Sequence, residues 1–410
     1  MQYHEIYKLM KETYDMEGSV SVNETLGITI RHQNFETIGA QGVLSGCERL
    51  YCKDHHTEYA DTLVKKYNSC DTILDVPDFY IKENLNYRIS IIQNTSDQPA
   101  KGTILLFHGL NEKKWDKYLP WAYELAKSTN KAVLLFPITF HMDRAPEDWS
   151  NRSLMYQVAQ ERAQNIAKNS DSSYVNAAIS SRMESHPQRL FWSGLQSYYD
   201  IKGIVNELKK GTFPSIEADG TLDIFGYSIG SFLAMILMMS NPKGIFSNSK
   251  MFCFCGGMTI DRMFPISKYI MDARAAIVMQ KCFAELLTTN FASDIRLEHY
   301  QNAQEHPNES WFKTMLRYNH FQKERETCLK SLEGKIKAYV LEDDVVAPPI
   351  EALNTLKGGY RNIDIDVEID HYDFPYSHMV PFPLTTKNGD LITEGFQRTM
   401  KSASDFFGKS

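Results

Sequence analysis

The sequence predicts an α/β protein: a mostly parallel sheet flanked by helices, with helical insertions and an N-terminal extension. Three observations predict it. Short apolar runs that fit strands buried on both faces recur from Thr103 to Ile369. Helical stretches separate most of them, as right-handed crossovers between parallel strands require. A chain of 410 residues, 43% hydrophobic and 12% aromatic, can also bury a sizeable core.

Taken in order, the first hundred residues are the least legible. A helix is expected over Tyr3–Tyr14, a strand near Ile28–Arg31 and a half-buried, alternating strand over Tyr87–Ile92. The polar run Asn94–Lys101 reads as a loop or an antiparallel hairpin. Thr103–Phe107 is continuously apolar and ends in His108-Gly109. A helix over Trp115–Ser128 follows, with Leu119, Leu125 and Ala126 on one face. Ala132–Pro137 repeats the buried-strand pattern, as do Leu222–Phe225, Met251–Cys255, Ile336–Leu341 and Ile365–Ile369. Two intervals, 141–189 and 259–332, are too long for simple crossovers, and both read as helical. The expected organisation is an extension over 1–84 packed on a core spanning 85–410, with the two insertions as a helical lid.

Composition excludes several roles. With 44 basic against 51 acidic residues the net charge is −7, and no basic stripe favours nucleic acid. No apolar run reaches the roughly 18 residues of a membrane helix, so no transmembrane segment is expected. Met1-Gln2-Tyr3-His4-Glu5 lacks the layout of a signal peptide, and the seven cysteines read as reduced thiols, so the expected location is cytoplasmic.

The chemistry concentrates in Leu222–Met235, which reads as a strand, then Gly226-Tyr227-Ser228-Ile229-Gly230, then an apolar helix. A turn that sharp strains the serine backbone and needs small residues two positions to either side, here the elbow glycines Gly226 and Gly230. It lifts the Ser228 hydroxyl to the carboxyl end of the sheet. A serine attacks only when a base takes its proton and an acid orients that base.

With His108-Gly109 after an early strand, this elbow, an acid after a late strand and a terminal histidine, the chain resembles the α/β-hydrolase superfamily over about residues 85 to 408. The resemblance implies the order serine, acid, histidine. It places the histidine in Tyr376-Ser377-His378-Met379, which favours His378 over His371. Matching Pro348 to the proline of the family's Asp-x-x-Val-Pro makes Asp344 the acid; Asp343, one register away, is the runner-up. The implied oxyanion hole is the backbone N–H of Ile229 and of Leu110, with Asn111 and Glu112 at its rim.

The expected activity is that of a serine hydrolase acting on a small-molecule ester or acyl substrate, apolar acyl esters above all. No metal or organic cofactor is required, and activity should fall in acid as His378 protonates. A peptidase or amidase on the same triad, or a noncatalytic binding protein on a hydrolase fold, are the alternatives; oligomeric state is not legible. Cys253 and Cys255 read as core thiols on one side of a buried strand. Cys47, Cys52, His55 and His56 resemble zinc ligands but lack a second pair, so no metal is expected there. Met263, Phe264, Tyr269, Ile270, Met271, Met279 and Phe283 read as lid core at helical spacing, part of it an acyl pocket.

Overall fold

The computed structural model describes residues 1–61, 74, 76–165 and 169–408. Parts of the predicted extension and first insertion, and Cys70, therefore lie outside the described residues. The strands are Val20–Asn23 (β1), Ile28–Glu36 (β2), Leu50–Cys52 (β3), Thr57–Tyr59 (β4), Asn86–Asn94 (β5), Ala100–Phe107 (β6), Ala132–Phe136 (β7), Ile216–Tyr227 (β8), Met251–Phe254 (β9), Ile336–Leu341 (β10) and Asp366–Asp370 (β11). Nine of them form one sheet in the order β1-β2-β5-β7-β6-β8-β9-β10-β11, while β3 and β4 pair separately. From β7 to β11 every pairing is parallel. β1, β2 and β5 extend that sheet antiparallel at the β7 edge.

Side chains alternate along the buried strands, and each face of the sheet has its own core. Leu105, Leu134, Ile224, Cys253 and Val340 pack under helices Arg189–Lys209 and Ile229–Ser240. Ile104, Leu106, Leu135, Phe225 and Leu341 face helices Tyr3–Tyr14, Leu119–Thr129 and Gly389–Gly408. Every residue of Ile229–Ser240 is buried. Each of its large apolar side chains contributes roughly 1.5–3 kcal/mol of transfer free energy, which anchors the turn at its N-terminus. Among the described residues, no helix is long and apolar enough to cross a membrane.

Of the two readings of Asn94–Lys101 the structure has the loop, since β7 lies between β5 and β6 in the sheet and the two do not form a hairpin. Two other readings differ from the structure. The stretch from Met263 to Met271 is not helical; it is a loop between the short turn Ile260–Arg262 and helix Ala273–Thr288, and Phe264 and Tyr269 are exposed. Cys253 and Cys255 do not share a face. Cys255 lies past the end of β9 with a φ of 48°, which turns its thiol into the opposite core. Among the described residues six cysteines are free.

Candidate active site

β8 ends at Tyr227, and helix Ile229–Ser240 begins two residues later. Ser228, between them, has φ 54° and ψ −119°, a conformation that costs a non-glycine residue of order 1–3 kcal/mol and persists only where surroundings enforce it. The enforcement is steric. A Cβ on Gly230 would lie 2.5 Å from the Phe107 carbonyl oxygen, and one on Gly226 would lie 2.7 Å from the Ser231 Cα. The helix therefore starts almost in contact with β6. Ser231 locks the turn by donating its hydroxyl to the Gly226 carbonyl at 2.7 Å.

Ser228 Oγ lies 2.8 Å from His378 Nε2, and His378 Nδ1 lies 2.7 Å from Asp344 Oδ2. All three side chains are buried. A carboxylate only accepts, so the proton sits on Nδ1 and Nε2 is left to accept from the serine hydroxyl. The other oxygen, Asp344 Oδ1, accepts from the amides of Val346 and Ala347 at 2.9 Å each, which fixes the carboxylate. Asp343 is placed elsewhere: it is exposed, accepts from Tyr376 Oη and stands 3.5 Å from the exposed His371.

Several neighbours escaped the sequence reading. Tyr227 donates its hydroxyl to the His378 carbonyl and stacks on the imidazole at 5.4 Å. Lys117 donates to the Met379 carbonyl at 3.2 Å and sits over the Tyr227 ring. Cys255 lies beside Asp344; burial first, then that carboxylate, push its thiol well above the ordinary range, so it stays protonated. These contacts join residues far apart in sequence. Only Tyr227, inside the pentapeptide, carried any local hint.

The loop after β6 is held as firmly. His108 Nε2 accepts from the Ile138 amide at 2.9 Å, and Tyr118 Oη accepts from the Gly109 amide at 2.9 Å. Burial, then the adjacent His141, hold His108 well below the usual imidazole range, so it is neutral. Asn111 donates to the Val175 and Tyr269 carbonyls, bridging the turn before helix Ala177–Ser185 and the loop before helix Ala273–Thr288, and Glu112 accepts from Tyr118 Oη.

Two apolar cavities flank the serine. The smaller, about 30 Å³, is lined by Ser228, Met263, Ile270, Met271, Met279 and Val346 among others. The larger, about 100 Å³, runs between Phe191, Phe232, Leu233 and Phe312. Leu110 and Ile229 line both. The amide of Ile229 lies in the first helical turn, where N–H groups have no acceptor within the helix. Lys113 and His141 are among the polar residues that line the larger cavity, with Arg182, Arg189 and Glu309. Burial pushes the Lys113 ammonium down to about 8 and the His141 imidazole down to about 4.

A model for a family of unknown function (DUF6051) matches residues 1–408. No curated protein matches the sequence. Among crystal structures, carboxyl esterase 2 from the mycorrhizal fungus Tuber melanosporum aligns at 10% identity and a TM-score of 0.42, covering 79% of this chain and 81% of its own. A thermostable esterase from Pseudomonas putida aligns at 11% identity and a TM-score of 0.42, covering 98% and 90%. A cold-adapted esterase from an Arctic intertidal metagenomic library aligns at 8% identity and a TM-score of 0.40, covering 95% and 98%.

Proposed function

We propose that this chain, which belongs to the DUF6051 family, is a serine hydrolase that cleaves carboxylic esters through an acyl-enzyme intermediate. The observation that carries this reading is the unbroken line Ser228 Oγ, His378 Nε2, His378 Nδ1, Asp344 Oδ2 at a strained strand-to-helix turn. A structural serine needs neither the strain nor a base held in one tautomer.

In the proposed reaction Ser228 Oγ attacks the ester carbonyl while its proton passes to His378 Nε2. The amides of Ile229 and Leu110 hold the oxyanion. The tetrahedral adduct collapses, and the leaving alcohol takes the proton from His378. Water then attacks the acyl-enzyme with His378 again as base, releasing the acid and restoring Ser228. Asp344 orients His378 and balances its charge when protonated.

The cavity walls support an apolar acyl group and a small-molecule ester as substrate. Ile179 and Met183 from the first insertion, and Met263, Met279 and Phe312 from the second, line these walls. That supports reading 141–189 and 259–332 as covers over the hydrolase core of 85–410. A fluorophosphonate probe tests the mechanism: it should label wild type and not Ser228→Ala. Absence of labelling on folded wild type would overturn the reading. A panel of acyl esters and the matching amides then tests the bond cleaved, with esters expected to be turned over faster.

A further inference from the structure

Away from Ser228, the hairpin of β3 and β4 meets the helix Ile295–Gln301 and the loop after it. Four side chains converge there. Cys52 Sγ lies 3.4 Å from His55 Nδ1 and 3.3 Å from His306 Nε2, and His306 Nε2 lies 3.1 Å from His299 Nε2. All four ligand atoms fall within 4.8 Å of one another. We propose that Cys52, His55, His299 and His306 bind a zinc ion, a structural metal site that ties the β3–β4 hairpin to the segment forming one wall of the larger cavity.

The tautomers argue for a cation. His55 Nε2 lies 3.1 Å from Glu305 Oε2, and His306 Nδ1 lies 3.5 Å from Glu309 Oε2. A carboxylate on one ring nitrogen keeps the proton there, so the lone pairs of His55 Nδ1 and His306 Nε2 both point into the cluster, toward a thiol. The one thiol proton of Cys52 can serve only one of these two rings, so the other sulfur–nitrogen contact brings two lone pairs together, and a metal ion removes the repulsion. Carboxylates behind ligating imidazoles are also the usual outer shell of a zinc site.

Distances agree with that ion. Zinc–nitrogen bonds of about 2.05 Å and a zinc–sulfur bond of about 2.3 Å set tetrahedral edges of about 3.3 Å and about 3.6 Å. The three separations given above lie a few tenths of an ångström below these values, and the remaining pairs, all within 4.8 Å, would close by about 1.5 Å at most around the ion. One thiolate and three neutral imidazoles leave a bound zinc with one positive charge, which faces Glu305 and Glu309. Cys52 and His306 are buried and His55 and His299 half-buried, so the site is shielded yet within reach of solvent.

The fold thereby supplies the second pair that the sequence lacked, from 254 residues away in the case of His306. It also discards half of the sequence cluster. Cys47 donates its thiol to the Ala40 carbonyl at 3.5 Å, and neither it nor His56 belongs to the group. The consequence for the cavity is direct. Glu309 and Phe312, in the turn Glu309–Met315, line the larger cavity, and Glu309 backs His306.

Full-length protein equilibrated with one equivalent of zinc and then desalted should retain one zinc per chain by elemental analysis. Cys52→Ser and His299→Ala should retain less than about a tenth of that, and Cys47→Ser should match wild type. Cobalt-loaded wild type should show the intense visible bands of a tetrahedral site and a thiolate-to-cobalt charge-transfer band, the latter lost in Cys52→Ser. Stripping the metal from wild type should lower the thermal midpoint by roughly 5 °C, restored by zinc. Folded wild type that retains no zinc, or Cys52→Ser retaining as much as wild type, would overturn the proposal. If the variants fail to fold, the wild-type zinc content and cobalt spectrum decide it alone. None of these readouts depends on Ser228.

Discussion

His378 Nδ1 lies 2.7 Å from Asp344 Oδ2, with both side chains shut off from solvent. Asp343, the adjacent residue, points instead toward Tyr376 and His371 at the surface. One register step thus separates a buried carboxylate that fixes a tautomer from an exposed one that does not. Asp344→Asn should present an amide N–H or a neutral oxygen to Nδ1, favouring the wrong tautomer and lowering kcat by about 10³–10⁴. Asp343→Asn should stay within a few-fold of wild type. Esterase rates of the two variants check this, and a larger loss at Asp343 would reverse the assignment.

Gly230→Ala should test the elbow as packing rather than chemistry. The new Cβ would meet the Phe107 and His108 carbonyl oxygens at 2.5 and 2.8 Å, and neither backbone can retreat from the centre of the sheet. Overpacking of that kind costs about 2–3 kcal/mol. Urea unfolding should show the loss, whereas Ser228→Ala should unfold near wild type. Equal midpoints for Gly230→Ala and wild type would mean that the helix start has slack.

What was legible in the sequence follows from the range of the forces involved. The runs at Thr103–Phe107, Ala132–Phe136 and Met251–Phe254 are apolar because both faces of those strands are covered, a condition written locally. The elbow was legible for the same reason, since its strain is relieved by glycines two residues away. The zinc-like cluster was half legible: Cys52 and His55 sit in one hairpin, but their partners His299 and His306 come from a helix and the loop after it, far along the chain. The face of Cys255 was misread because alternation assumes an extended backbone, and a φ of 48° breaks it. Phe264 and Tyr269 mimicked a helical face, although the segment around them is a loop.

Asp200 gathers the end of β2 onto the core. It accepts from Thr37 Oγ1 at 2.7 Å, from the Ile38 and Gly39 amides at 2.9 and 3.1 Å, and from Arg144 Nη2 at 2.7 Å. Both members of the ion pair are fully buried. Asp200→Ala leaves the Arg144 guanidinium without its counter-charge, so stability should fall by about 3–5 kcal/mol. The double variant Asp200→Leu with Arg144→Met should recover much of that loss, because no charge then remains buried. Chemical denaturation of both distinguishes the cases; a single-variant change under about 1 kcal/mol would contradict the buried-pair account.

Lys113 gives the pH dependence a definite sign. Burial pushes its ammonium from 10.5 down to about 8, with Glu112 opposing the shift. Between those two values the unfolded chain holds the proton and the folded chain releases it, so the unfolded state binds more protons and stability rises with pH. Below about 8 both states are charged and the folded protein bears the full desolvation cost. Lys113→Met removes that cost without emptying the cavity wall. The variant should be more stable than wild type at pH 7 by about 1–2 kcal/mol after allowing for the partial exposure of the side chain. That gain should shrink as the pH is raised from 8 toward 10.5, where wild type sheds the proton. Thermal midpoints of both proteins across this window provide the measurement. A difference that stays constant with pH would assign the effect to packing rather than to the charge.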